Sequence, residues 1–233
     1  MQGKKITAPF FVVNPKSFLF GEALMELARY ANELAKSNPV DILFTAPHTE
    51  LANIARECPN LIITAQHVDD IKPGEAMGKV LMESLVHIGV RAVVLNHADH
   101  PLAMSTLANS IFRAKEVGLQ TIVCANTIQE AQATAIFQPD IVLAEPTELI
   151  GQEQISSRDY VTSTIDSIKQ INSVILVEQG AGIRSERDVE ELLQLGADGV
   201  GVTSGIVKAE NPSGMMKKMI QEVAAFKKKG SKR

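Results

Sequence analysis

Eight short apolar runs recur along the chain at near-regular intervals, and they constrain the fold more than any other feature. They are Phe10–Val13, Val40–Phe44, Leu61–Ala65, Ala92–Leu95, Thr121–Ala125, Ile141–Ala144, Val174–Val177 and Gly199–Val202. Each is four or five residues long and, apart from Asp41, largely apolar on both faces. Strands of that kind are covered on both sides, as in parallel sheets. Between the runs lie helical patterns, clearest in Glu22–Lys36, Leu102–Val117, Ser157–Ile171, Glu186–Leu195 and Pro212–Phe226. The first puts Leu24, Leu27, Ala28, Ala31, Leu34 and Ala35 on one face. Gly118 and Gly196 follow the ends of two of these patterns, where a left-handed cap belongs. The 233 residues give about 29 per strand–helix unit. Eight such units predict an α/β fold that closes into a single-domain (β/α)8 barrel over residues 1–233. An open doubly wound sheet is the rival arrangement.

The remaining composition narrows the setting. A hydrophobic fraction of 45% is enough for a sizeable core, and no low-complexity linker divides the chain. The net charge of −4 implies no general attraction to nucleic acid or to an anionic membrane. Residues 227–233, KKKGSKR, are expected to form a basic, solvated helix end that runs into a disordered tail. No apolar run reaches 18 residues and no signal peptide is evident, so a cytoplasmic protein without a membrane partner is expected. Cys58 and Cys124 fit neither a zinc spacing nor a redox pair and read as free thiols, Cys124 in the core.

In such barrels the chemistry sits where the strands end. The run Phe10–Val13 is followed by Asn14-Pro15-Lys16, Ala92–Leu95 by Asn96-His97, and Ile141–Ala144 by Glu145-Pro146. The last two runs lead into Gly180-Ala181-Gly182 and Thr203-Ser204-Gly205. A carboxylate against apolar walls has a raised pKa and suits a base that takes a proton from carbon. A neutral imidazole suits an oxygen on which charge develops. Pro101 is expected in the first turn of the helix after His97, whose positive end would lower the pKa of that ring. Lys16 would attract an anion, and the small-residue loops would let backbone N–H groups approach a phosphate.

These stretches, together with Ala65–Asp69, Ile71–Gly74, Val123–Asn126, Glu145–Gly151 and Gly180–Ile183, resemble the triosephosphate isomerase family, and within it the short archaeal form. The resemblance runs in order along nearly the whole chain. It implies a cofactor-free, metal-free interconversion of dihydroxyacetone phosphate and glyceraldehyde 3-phosphate through an enediolate. It makes Glu145 the base, His97 the neutral electrophile and Lys16 the electrostatic anchor, positioned by Asn14. Residues 146–154 would be a lid that excludes water, with Gly151 donating to the phosphate. Gly180, Ala181, Gly182, Thr203 and Ser204 would complete the cradle. A phosphorylated sugar is the implied partner, and the implied assembly is a homo-oligomer, dimeric or tetrameric, contacted through Gly74–Gly78.

The chain departs from the family pattern at several places. Ala98-Asp99 stands where the family has Ser-Glu, so the contact of an acid with Lys16 is lost or rebuilt. Gln152-Glu153 replaces Thr-Gly, Arg184 replaces a small residue, and Glu178-Gln179 replaces apolar residues. Alternation along the seventh strand allows only one of that last pair to face the barrel interior. The departures raise two alternatives: an isomerase of another small sugar phosphate, such as a four-carbon erythrulose phosphate, or a non-catalytic sugar-phosphate binder. Of the other histidines, His48 is expected in solvent, His67 at an interface or in a structural role, and His87 on the surface. His100 lies near the site without an evident role, and Glu148 reads as a hinge or cap of the lid.

Overall fold

The computed structural model describes residues 5–146 and 156–230. Eight parallel strands pair in chain order and the last pairs with the first, closing a barrel. They are β1 Phe10–Val13, β2 Asp41–Ala46, β3 Ile62–Ala65, β4 Ala92–Leu95, β5 Gln120–Ala125, β6 Ile141–Ala144, β7 Leu176–Gln179 and β8 Gly199–Val202. The doubly wound alternative is thereby excluded. The described helices are α1 Gly21–Ser37, α2 Leu51–Glu57, α3 Met82–His87, α4 Met104–Val117, α5 Ile128–Ile136, α6 Arg158–Ile171, α7 Glu186–Gln194, α8 Ser204–Val207 and α9 Pro212–Gly230. None of them is long and apolar enough to cross a membrane.

Period-two alternation sorts the strand side chains into two cores. Phe11, Val13, Ile42, Phe44, Ile63, Val93, Leu95, Val123, Val142, Val177, Val200 and Val202 face outward and pack with the helices. Phe10, Val12, Leu43, Ile62, Ala92, Val94, Ile122, Cys124, Ile141 and Leu143 fill the interior. β8 presents only glycine inward. A Cβ on Gly199 would lie 2.4 Å from the Phe10 ring, and one on Gly201 would lie 2.2 Å from Oε1 of Glu178. One aromatic ring and one carboxyl therefore occupy the space that β8 leaves.

One expectation is corrected here. β7 runs two residues later than its apolar stretch suggests: Val174 is 78% exposed, whereas Glu178 and Gln179 are 2% and 1% exposed. Register decides this, because Leu143 pairs with Glu178 and Ala144 with Gln179. The basic end is helical as far as Gly230; α9 places Lys227, Lys228 and Lys229 in its last turn, where the helix dipole favours cations. Residues 231–233 lie outside the described part.

Candidate active site

Strand register brings the C-terminal ends of β1, β4, β6, β7 and β8 to one rim. A cavity of about 510 Å³ opens there. Its lining includes Asn14, Lys16, His97, Glu145, Gly180, Gly182, Thr203 and Ser204. Ala181 is buried beside these glycines without lining the cavity. Gly151, Glu148, Glu153 and the remainder of the expected lid after Pro146 lie outside the described residues.

Lys16 is held by a chain of local bonds. Its backbone adopts φ 48°, an uncommon left-handed conformation for a side-chain-bearing residue. The Oδ1 of Asn14 accepts from the Lys16 backbone N–H at 3.1 Å and from the Thr45 hydroxyl at 2.6 Å. Gln66 donates to the Lys16 carbonyl at 3.0 Å. These bonds fix the turn, and the side chain then reaches across the rim to Asp99, with Nζ 3.0 Å from Oδ2. The acid–lysine contact is thus rebuilt with the shorter side chain. Lys16 holds Asp99 below the usual carboxylate range. Because Asp99 is 69% exposed, the pair adds little to stability.

His97 receives a hydrogen bond at Nδ1 from the backbone N–H of Asp99, at 3.0 Å. Nδ1 therefore carries a lone pair, and a neutral ring has its proton on Nε2. The Asp99 carboxylate also lies 3.4 Å from Nδ1, but a nitrogen that accepts from an amide cannot at once be the cation of an ion pair. Burial, and then Lys16, lower the pKa of the ring against the smaller opposing pull of Asp99. Pro101 does not lie in the first turn of the following helix: α4 opens at Met104. A turn closed by His100 N–H to the His97 carbonyl, at 2.8 Å, occupies the intervening chain.

Glu145 follows β6, and its N–H donates to the Ala125 carbonyl at 3.0 Å. Its carboxyl lies against Gly180, where a Cβ would stand 3.3 Å from Oε1 and 3.0 Å from the Leu143 side chain. Burial raises its pKa above the ordinary value; Lys16 opposes this and Asp99 adds to it. A basic carboxylate and a neutral imidazole are thus produced by desolvation, with one cation common to both.

Opposite them, Gly182 turns at φ 69°, and Gly205 packs so tightly on the seventh loop that a Cβ would lie 2.2 Å from the Ile183 carbonyl. The close approach brings the loops after β7 and β8 together. Several lining residues were not singled out from the sequence: Ser17, Phe18, Thr45 and Lys208. The Lys208 ammonium stands 5.8 Å from the centre of the Phe18 ring. Thr45 had a legible signal, a hydroxyl at the end of an apolar strand. Lys208 had none, since only the fold brings it to the rim.

A triosephosphate isomerase family model matches residues 9–223. The chain belongs to the triosephosphate isomerase family. It is 34% identical over 208 residues to the triosephosphate isomerase of Caldivirga maquilingensis, covering 87% of this chain and 92% of the relative. It is 33% identical over 215 residues to that of Methanocaldococcus jannaschii, covering 90% and 98%. The isomerase of Methanobrevibacter smithii is 34% identical over 212 residues, with 89% and 95% covered. These matches to triosephosphate isomerases favour neither the four-carbon isomerase nor the non-catalytic binder.

His48, His67 and His100 form a second group near the rim. The His67 and His100 rings stack with centroids 3.8 Å apart. His48, expected in solvent, is half-buried, with Nε2 2.7 Å from the His67 carbonyl. His87 is exposed, as expected. Among the described residues no group of three or more His, Cys, Asp or Glu side chains could hold a metal ion.

Proposed function

We propose that this protein interconverts dihydroxyacetone phosphate and glyceraldehyde 3-phosphate. The observation that carries the reading is the meeting of Lys16, His97 and Glu145 in one cavity with the Gly180–Gly182 and Thr203–Ser204 loops. Glu145 takes the proton from the carbon beside the carbonyl. Its raised pKa makes it a stronger base than an exposed carboxylate, and apolar walls leave the abstraction unhindered by water. The Nε2–H of His97 donates to the oxygen that becomes negative, and the ring stays neutral because burial and Lys16 disfavour its charged form. Lys16 offsets the charge of the phosphorylated substrate. Glu145 then returns the proton to the neighbouring carbon. The phosphate is held by backbone N–H groups of Gly180, Gly182, Thr203 and Ser204.

A homo-oligomer in the cytoplasm completes the reading. Met77, in the loop of residues 74–78, exposes its whole side chain, which supports a partner at that loop. Both cysteines are buried free thiols, in keeping with a reducing compartment.

The experiment is isomerisation of both trioses by the wild-type protein and by Glu145→Asp. Shortening the base by one methylene withdraws the carboxylate by about 1 Å, and roughly a hundredfold loss of kcat is expected. Wild-type protein that turns over neither triose, or an Asp variant with undiminished kcat, would overturn the assignment.

A further inference from the structure

Glu178 is a buried carboxyl in a barrel interior that is mainly apolar, with the hydroxyls of Thr45 and Thr64 as its other buried polar groups. It lines the floor of the cavity with Val12, Val94, Ile122 and Leu143 and is 2% exposed. Among the described residues its Oε2 has no hydrogen-bond partner. In register it lies beside Leu143, two residues below Glu145. Its side chain climbs from there to Gly201, whose lack of a Cβ leaves room for Oε1. The carboxyl therefore stands one inward-facing layer below the rim and lines the cavity a ligand would enter. A buried polar atom without a partner is costly, and a ligand in this cavity can supply the partner that Glu178 lacks.

We infer that Glu178 is a substrate-binding residue, a protonated carboxyl that donates a hydrogen bond from the cavity floor to an oxygen of the bound sugar phosphate. This inference rests on the isomerase reading for its ligand class. Its protonation has a physical cause: burial, and then the neighbouring Glu145, push the carboxyl up to about 8. The charged and titratable groups around the site are Glu145 after β6, buried Cys124 on β5, Lys16 after β1, His97 and Asp99 after β4, and Lys208 after α8. None has a hydrogen bond or ion pair to Glu178 among the described residues. Once ionised, Glu178 can no longer donate and places a second negative charge beneath an anionic ligand.

The test is titration calorimetry with glycerol 3-phosphate, an unreactive dianion with two hydroxyls, from pH 7.0 to 9.5. Wild-type affinity is expected to weaken about tenfold as pH rises through 8, the scale of one strong hydrogen bond. Glu178→Gln, an uncharged donor, is expected to keep most of the affinity at pH 7.0 and to lose that pH dependence. Glu178→Leu is expected to bind roughly five- to tenfold more weakly at pH 7.0, again without the slope. The same slope in wild type and Glu178→Gln would overturn the inference, as would a Leu variant that binds as tightly as wild type. Should Glu178→Leu fail to fold, the comparison of wild type with Glu178→Gln decides alone. Binding that follows the expected pattern in a protein without triose turnover would sink the proposed function and leave the floor contact standing.

Discussion

Gly180→Ala tests whether the base is held by packing. The glycine backbone is not in the left-handed region, so alanine fits it without strain. The added methyl would stand 3.0 Å from Leu143 Cδ1 and 3.3 Å from Glu145 Oε1. Both contacts are tighter than ordinary van der Waals separation, so each neighbour must yield by a few tenths of an ångström. The leucine tip can rotate away; the carboxylate, on a chain anchored to Ala125, moves with its reactive oxygen. If about 1 Å of misplacement costs a hundredfold, a shift of this size costs roughly four- to tenfold in kcat. The backbone N–H of residue 180 survives the substitution, so KM should change less than twofold. Stability should fall by less than about 1.5 kcal/mol, since one flexible side chain absorbs most of the overlap. Steady-state kinetics in both directions and a urea melt measure these quantities. An unchanged kcat would refute the packing argument, and a loss confined to KM would assign Gly180 to phosphate binding alone.

Asp99→Asn removes the anion that raises the pKa of Glu145 and frees Lys16, which lowers it; both effects run the same way. The acid limb of kcat/KM should therefore move to lower pH, while unfolding free energy changes by less than about 1 kcal/mol because the pair is exposed. A limb displaced to higher pH would contradict the electrostatic assignment. Gly199→Ala drives a methyl to within 2.4 Å of the Phe10 ring inside the barrel. It should cost about 1–3 kcal/mol in chemical denaturation, and no loss would show that the interior repacks freely.

Much of the candidate site was legible because barrel chemistry lies where strands end, and Lys16, His97 and Glu145 each come soon after the end of an apolar run. The helix start after His97 misled because Pro101 marks a permissible first turn, yet the His97–His100 turn uses that chain and delays α4 to Met104. Strand seven misled because apolar character is a proxy for burial, and Glu178 and Gln179 are buried despite their polarity.

Taken by itself, the sequence determined the eightfold alternation, the parallel sheet and the residue types at the rim, because these depend on local periodicity and chain order. It could not decide which of two adjacent polar residues on β7 faces the interior, since a shift of one residue exchanges the two faces. Tertiary register made that choice. It set Glu178 against the empty side of Gly201 and Gln179 toward the helices, and it brought Lys208, at the end of α8, to the mouth beside the Phe18 ring. The raised pKa of Glu145 and the lowered pKa of His97 arise in the same way, because desolvation depends on what surrounds a group in space and not on its neighbours in the chain.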